Sequence, residues 1–182
     1  MKIRKGLFTW IGGFVFSVFI FSGCAGPSVY SVHMSYDAGK VSVPANLKGN
    51  EASNDTIGVA EFTDTRKIED HDVIGRVVER DGMKKLVFPK NIRVTKAISQ
   101  GIKEYLRKAG YKVDDKNIEW DLKDNSIPKS ENKILIGGSI DQLEVICIRN
   151  FPTNSYKIDM KLTIYFADPV KGNVLYRSTV ES

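Results

Sequence analysis

Two runs in the last third of the chain alternate apolar and polar residues for too long to suit a helix. Tyr156, Ile158, Met160, Leu162, Ile164 and Phe166 occupy every second position, opposed by Lys157, Asp159, Lys161 and Thr163. A period of two is the signature of a strand with one face on a core. Upstream, Ile134, Ile136 and Ile140 keep one phase while Leu143, Val145 and Cys147 keep the other. Because side chains alternate strictly, that shift requires an extra residue near Asp141 and Gln142, a β-bulge. The two strands reverse at Arg149-Asn150-Phe151-Pro152. Lys171-Gly172-Asn173 then turns the chain into a last strand over 174–180.

The rest of the chain supplies shorter elements. Ile57-Gly58-Val59-Ala60-Glu61-Phe62 is apolar at nearly every position, as expected of a strand covered on both faces. Residues 63–72 are dense in charge and read as a solvated loop. The segments 73–78 and 86–88 flank Asp81-Gly82, a dipeptide suited to a tight reversal, and Pro89 closes that hairpin. Asn91 offers a side-chain cap for a helix running to Ala109, where Val94, Ile98, Gly101, Ile102 and Tyr105 recur at helical spacing. Gly101 in that stripe implies close approach of a strand. Gly110 ends the helix and a short strand follows at 111–113. Tyr30, Val32, Met34 and Tyr36 alternate as an early strand, 39–55 reads as loop, and 114–132 is polar with a local turn around Trp120. The fold class that results is α+β, one long amphipathic helix packed on an antiparallel or mixed β-sheet.

The first residues belong to another logic. Lys2, Arg4 and Lys5 precede an apolar run from Leu7 to Phe21 that stops at Ser22-Gly23-Cys24. Basic, apolar and small residues in that order are the layout of a secretory signal peptide. The run is 15 residues, short of the roughly 20 that a spanning helix needs. The stretch Phe21-Ser22-Gly23-Cys24 resembles the lipobox of bacterial lipoproteins, with Phe21 in place of the usual aliphatic residue. The resemblance implies cleavage before Cys24 and acylation of its sulfur, and more than one acyl chain anchors a protein stably. Ala25 and Gly26 follow, without the aspartate that keeps enterobacterial lipoproteins in the inner membrane. The expected organisation is a signal peptide over 1–23, a lipidated tether with the early strand over 24–55, and a periplasmic α+β domain over 56–182.

Removal of the leader would take three of the 27 basic residues and no acidic ones, leaving 24 basic against 22 acidic. The sequence pI near 9.1 therefore carries little weight as a sign of nucleic-acid binding. Of the two cysteines, Cys24 would be acylated, leaving Cys147 without a disulfide partner and in phase with core residues. The two histidines, His33 and His71, lack ligand spacing for a metal, and no cofactor motif is present. Asp70-His71-Asp72 could hold a general base, but no nucleophile or oxyanion donor can be located around it, so an enzyme is not expected. Gly137-Gly138 reads as a kink or as a place where another backbone approaches. Candidate partner-binding residues are Arg66 and Arg76, suited to carboxylates or phosphates, and Phe151 at the strand reversal. Two of these have a bland alternative: an ion pair of Arg66 within its acidic loop, and Phe151 as a lid on the core.

Val59-Ala60-Glu61-Phe62-Thr63-Asp64-Thr65-Arg66, Ile74-Gly75-Arg76, and the segment from Tyr105-Leu106 through Ala109-Gly110-Tyr111-Lys112-Val113 are together similar to the YajG-like family of bacterial lipoproteins. The similarity spans about residues 55–166 and implies location and fold more than activity. The sequence ends straight after a strand, where such a domain is expected to add a closing helix. The functional expectation is a non-catalytic accessory or structural lipoprotein of the cell envelope, tethered through Cys24, at the outer membrane facing the periplasm, and acting through envelope proteins. The alternative is a lipid-binding auxiliary lipoprotein of an envelope transport system.

Overall fold

One strand organises the molecule. The structure, a computed structural model, describes residues 29–49 and 55–182. The expected leader, Cys24 and part of the 39–55 loop lie outside those residues. Strand β7 (Ile134–Arg149) pairs antiparallel with β8 (Asn154–Asp168) along its whole length, with a register shift between Ile140 and Gln142. That is the bulge that the change of phase requires. The other edge of β7 receives three short strands in succession, all parallel to it. They are β2 (Thr56–Val59) against Ile134–Ile136, β3 (Thr63–Asp64) against Ser139–Ile140, and β4 (Gly75–Val78) against Val145–Ile148. Outside these lie β5 (Lys84–Lys90), antiparallel to β4; β1 (Tyr30–His33), parallel to β5; and β6 (Lys112–Val113), parallel to β2. On the far side of β8, β9 (Asn173–Glu181) completes a mixed sheet of nine strands among the described residues.

Helix α1 (Val94–Lys108) is 15 residues, about four turns, and crosses one face of that sheet. Asn91 does not cap it. Its φ is 76°, and the helix starts after Arg93, which makes no side-chain cap. The first turn is held instead by Glu61, whose carboxylate accepts from Thr95 Oγ1 at 2.8 Å and from Arg93. One turn on, Ser99 is buried. It receives the Phe62 N–H at 2.9 Å and donates to the Thr95 carbonyl, satisfying both groups without water. At the other end Gly110 has a φ of 91°, the Tyr111 N–H reaches the Leu106 carbonyl and the Gly110 N–H that of Arg107. This is a Schellman close, which needs the left-handed residue that glycine supplies.

The apolar stripe of α1 lands on two clusters. Val94, Ile98 and Ile102 meet Phe62, Ile74, Val77, Val87, Ile140 and Leu162, while Ile102 and Leu106 meet Ile57, Val59 and Ile136. Gly101 makes room for Tyr36 rather than for a strand: a Cβ there would lie 3.3 Å from the Tyr36 Cβ. Tyr36 follows β1, which ends at His33, short of the alternation in sequence.

The opposite face is covered by a segment whose regular structure is limited to a 3₁₀ turn at Asp124–Ser126 and a bridge from Ile118 to Ala60. Within the polar stretch 114–132, Trp120 and Ile127 are buried against Ala60, Leu135 and Ala167. The Trp120 ring meets Tyr165 edge-on at 5.9 Å, and its Nε1 donates to the Lys123 carbonyl. Gly137 and Gly138 point to opposite faces and each is overlaid by a ring. A Cβ on Gly137 would lie 2.5 Å from Trp120, and one on Gly138 2.4 Å from Phe62. Aromatic rings account for the glycine pair better than a kink does, although the Thr163 carbonyl also lies 2.5 Å from the Gly138 position.

Two further differences are local. Pro89 lies inside β5, paired with Val32, rather than closing the hairpin, which turns at Gly82 (φ 82°) as its dipeptide requires. The charged stretch 63–72 is loop only in part, since its first two residues form β3.

Candidate functional site

Arg66, selected from the sequence for its charge, is an interior residue. Its side chain is 3% exposed and its Nε and Nη2 straddle the Asp64 carboxylate at 2.7–3.1 Å. Its remaining donors reach the carbonyls of Val73 and His71, so it staples the loop back onto β3. Burial works against the Asp64 charge, but hydrogen bonds from the Arg66 side chain and N–H and from His71 outweigh it and hold its pKa below the usual carboxylate range. A guanidinium with this many internal acceptors leaves little to offer a partner. His71, in the candidate acid–base triplet, lies with Nδ1 3.1 Å from Asp64 and is half exposed. His33 meets the Asn91 amide at the far side of the sheet. Among the described residues no group of three or more His, Cys, Asp or Glu is placed to hold a metal ion.

Arg76 lies on the face opposite α1, where it pairs with Glu144 of β7 and both are half-buried. The pair borders an open depression of about 650 Å³ with Ile68, Leu86 and Leu143. Cys147 is half-buried and packs on the main core, opposite Val77 and Tyr156.

A polar cluster absent from the sequence reading lies at the bulge. Asp141 accepts from Ser139 Oγ at 2.7 Å, Thr65 Oγ1 at 2.9 Å and Thr163 Oγ1 at 2.5 Å. Burial raises the pKa of its carboxyl, and the three hydroxyls more than reverse that, leaving it lowered. The extra residue of the bulge thus supplies the acceptor that ties β3, β7 and β8 together. No local pattern announces it, because two of its three donors, Thr65 and Thr163, come from distant parts of the sequence.

Phe151 is 82% exposed at the tip of the β7–β8 reversal, with the Arg80 guanidinium 5.5 Å from its ring centre. It is therefore no lid on the core. Beside it, Glu79 gathers the Tyr30 hydroxyl at 2.7 Å, Lys85 at 3.2 Å and Arg149 at 3.5 Å, and the Arg149 guanidinium stacks 4.9 Å over the Tyr30 ring. The Tyr30 hydroxyl that donates to Glu79, with Lys85 and Arg149 assisting, holds that carboxyl below its usual pKa.

An uncovered apolar surface lies where α1 stops short. On the helix side of the sheet, Tyr156 and Ile158 of β8 and Tyr176 and Val180 of β9 are exposed, in line with the half-buried Met160 and Phe166. Tyr176 leans on Phe166 with ring centres 6.1 Å apart. β9 itself pairs only with β8, leaving its outer edge without a described strand. Exposed apolar strips of this kind, beside an unpaired edge, are places where another molecule binds.

No family model matches the chain, and no curated protein matches it in sequence. Among solved structures it is similar to protein XCC0632 from Xanthomonas campestris, described by the family model DUF330, at 9% identity and a TM-score of 0.49, over 84% of this chain and 75% of that one. A second solved structure, of an uncharacterized protein, is similar at 5% identity and a TM-score of 0.45, over 85% and 80% of the two chains.

Proposed function

We propose that the protein is a membrane-anchored lipoprotein whose α+β domain faces the periplasm and serves as a non-catalytic accessory or structural component of the cell envelope. The observation that carries this reading is the exposed apolar strip of Tyr156, Ile158, Tyr176 and Val180 beside the open edge of β9. A strip flanked by an open edge can receive a strand and side chains of a partner, which is how extended segments add to sheets. The lipobox-like ending of the leader supports attachment through Cys24 and an outer-membrane location, and the similarity to YajG-like lipoproteins supports the same placement.

The second reading is a lipid-binding auxiliary lipoprotein of an envelope transport system. It is favoured by the same strip, since an acyl chain could lie along β8 beside the end of α1. Growth in radiolabelled palmitate tests the anchor: label should enter the protein and disappear in Cys24→Ala, with the variant released from the membrane fraction. Native mass spectrometry of the purified lipoprotein then separates the two readings. A bound envelope protein supports the accessory role, and a stoichiometric lipid beyond the anchor supports the transport role.

A further inference from the structure

The chain enters the domain at the end that carries Phe151, the most exposed large apolar residue among those described. β1 runs parallel to β5, away from the β4–β5 turn, so the chain reaches Tyr30 from the side of that turn. Tyr30 is also joined to Glu79, which follows β4, and to Arg149, which ends β7, at that same place. Tyr30 lies six positions after Cys24, a reach of at most about 20 Å. At this end Phe151 and Met83 project from two adjacent reversals, 82% and 56% exposed, with Val29 exposed at the entry of β1.

Charge accompanies the apolar tips. Arg80, Lys84, Lys85 and Arg149 gather there against Glu79 and Asp81, and an open depression of about 610 Å³ lies between the two reversals, lined by Tyr30, Arg80, Met83, Arg149 and Asn154. Both acidic groups are engaged within the protein, Glu79 by Tyr30, Lys85 and Arg149, and Asp81 by the Met83 N–H. Arg80 and Lys84 are exposed. Apolar side chains ringed by basic ones are the composition that seats a protein in the headgroup layer of an anionic bilayer, through apolar burial and attraction to the surface potential.

We infer that this end, formed by Phe151, Met83 and the basic residues Arg80, Lys84, Lys85 and Arg149, docks on the surface of the anionic membrane to which the chain is tethered. Docking here rests on the proposed acylation of Cys24, which brings the tip within reach of lipid. It also orients the sheet: with its lower end on the bilayer, the strip along β8 and β9 faces sideways into the periplasm, open to a partner.

The test uses the acylated lipoprotein reconstituted into vesicles of phosphatidylcholine, alone or with phosphatidylglycerol, both carrying brominated acyl chains. In a Phe151→Trp variant the added fluorescence should shift to shorter wavelength and be quenched in the phosphatidylglycerol vesicles. Arg80→Glu combined with Lys84→Glu should restore the emission seen in water. Vesicle flotation and the mass of the acylated peptide report the anchor independently. Protein that floats with its position 151 unquenched would overturn the docking while leaving the tether in place; protein that neither floats nor carries acyl mass would overturn the tether and the docking with it. Equal quenching in neutral vesicles would overturn the anionic surface, and shielding of position 151 only in whole envelopes would assign the tip to a protein partner.

Discussion

The two halves of β7 begin from similar sequences and end in different surroundings. In Ile134–Ile140, six positions in a row from Leu135 to Ile140 are buried, because α1 covers one face and the Trp120 segment the other. Beyond the bulge every residue is half-buried or exposed, since α1 reaches only the near strands and nothing described lies over Tyr156 and Ile158 of β8. Both halves place apolar residues at alternate positions, Ile134, Ile136 and Ile140 before the bulge and Leu143, Val145 and Cys147 after it. Alternation thus marks a face as fit to be covered; what covers it is decided by elements distant in sequence. Where no cover arrives, the same pattern is left as exposed apolar surface.

The sharpest way to break that contrast is to remove what holds the covered half together. Arg66→Ala would leave the Asp64 carboxylate and the carbonyls of His71 and Val73 without their buried donor, and should cost about 3–5 kcal/mol in urea unfolding. A loss below about 1 kcal/mol would show that the loop does not depend on its staple. Next in size, Leu135→Ala, at a fully buried position, should cost about 2–5 kcal/mol. Its counterpart in the bare half, Ile158→Ser, should stay within about 0.5 kcal/mol, and equal losses at the two sites would erase the distinction.

Acid should act on the seams of the covered half. The Asp64 and Asp141 carboxyls have native pKa values below their ordinary ones, so the folded state binds their protons less readily than the unfolded chain. The stability they add is complete above the unfolded carboxylate pKa of about 4 and is lost as pH falls through the lower native values. Urea midpoints should therefore fall on acidification, and Asp141→Asn should flatten the slope. A steeper slope in that variant would reverse the sign of the argument.

Elements governed by neighbours in sequence were legible. The bulge followed from a change of phase between Ile140 and Leu143, the hairpin from Asp81-Gly82, and the helix close from Gly110, each set by backbone geometry over a few residues. Contacts made across the chain were not. Trp120 and Ile127 sit in a polar stretch with no period, yet they seal a face; Gly137 and Gly138 are small because rings from 120 and 62 lie over them. The helix start was misplaced because Asn91 has the composition of a cap but a left-handed backbone, while the true stabilisation comes from Glu61. Of the candidate site residues, Arg66 proved interior, Arg76 paired with Glu144, and Phe151 exposed: one sequence cannot tell an arginine that binds its own loop from one that binds a partner.

The smallest effect on folding should carry the largest effect on function. Tyr176→Asp should leave the urea midpoint nearly unchanged while abolishing capture of a partner by the β8–β9 strip. The most direct measurement places a photo-crosslinking phenylalanine analogue at position 176 in intact cell envelopes, with the same analogue at 124, in the segment covering the opposite face, as the comparison. The account predicts a discrete protein adduct from 176 and none from 124; the same adducts from both positions, or none from 176 in a protein shown to be anchored, would contradict it.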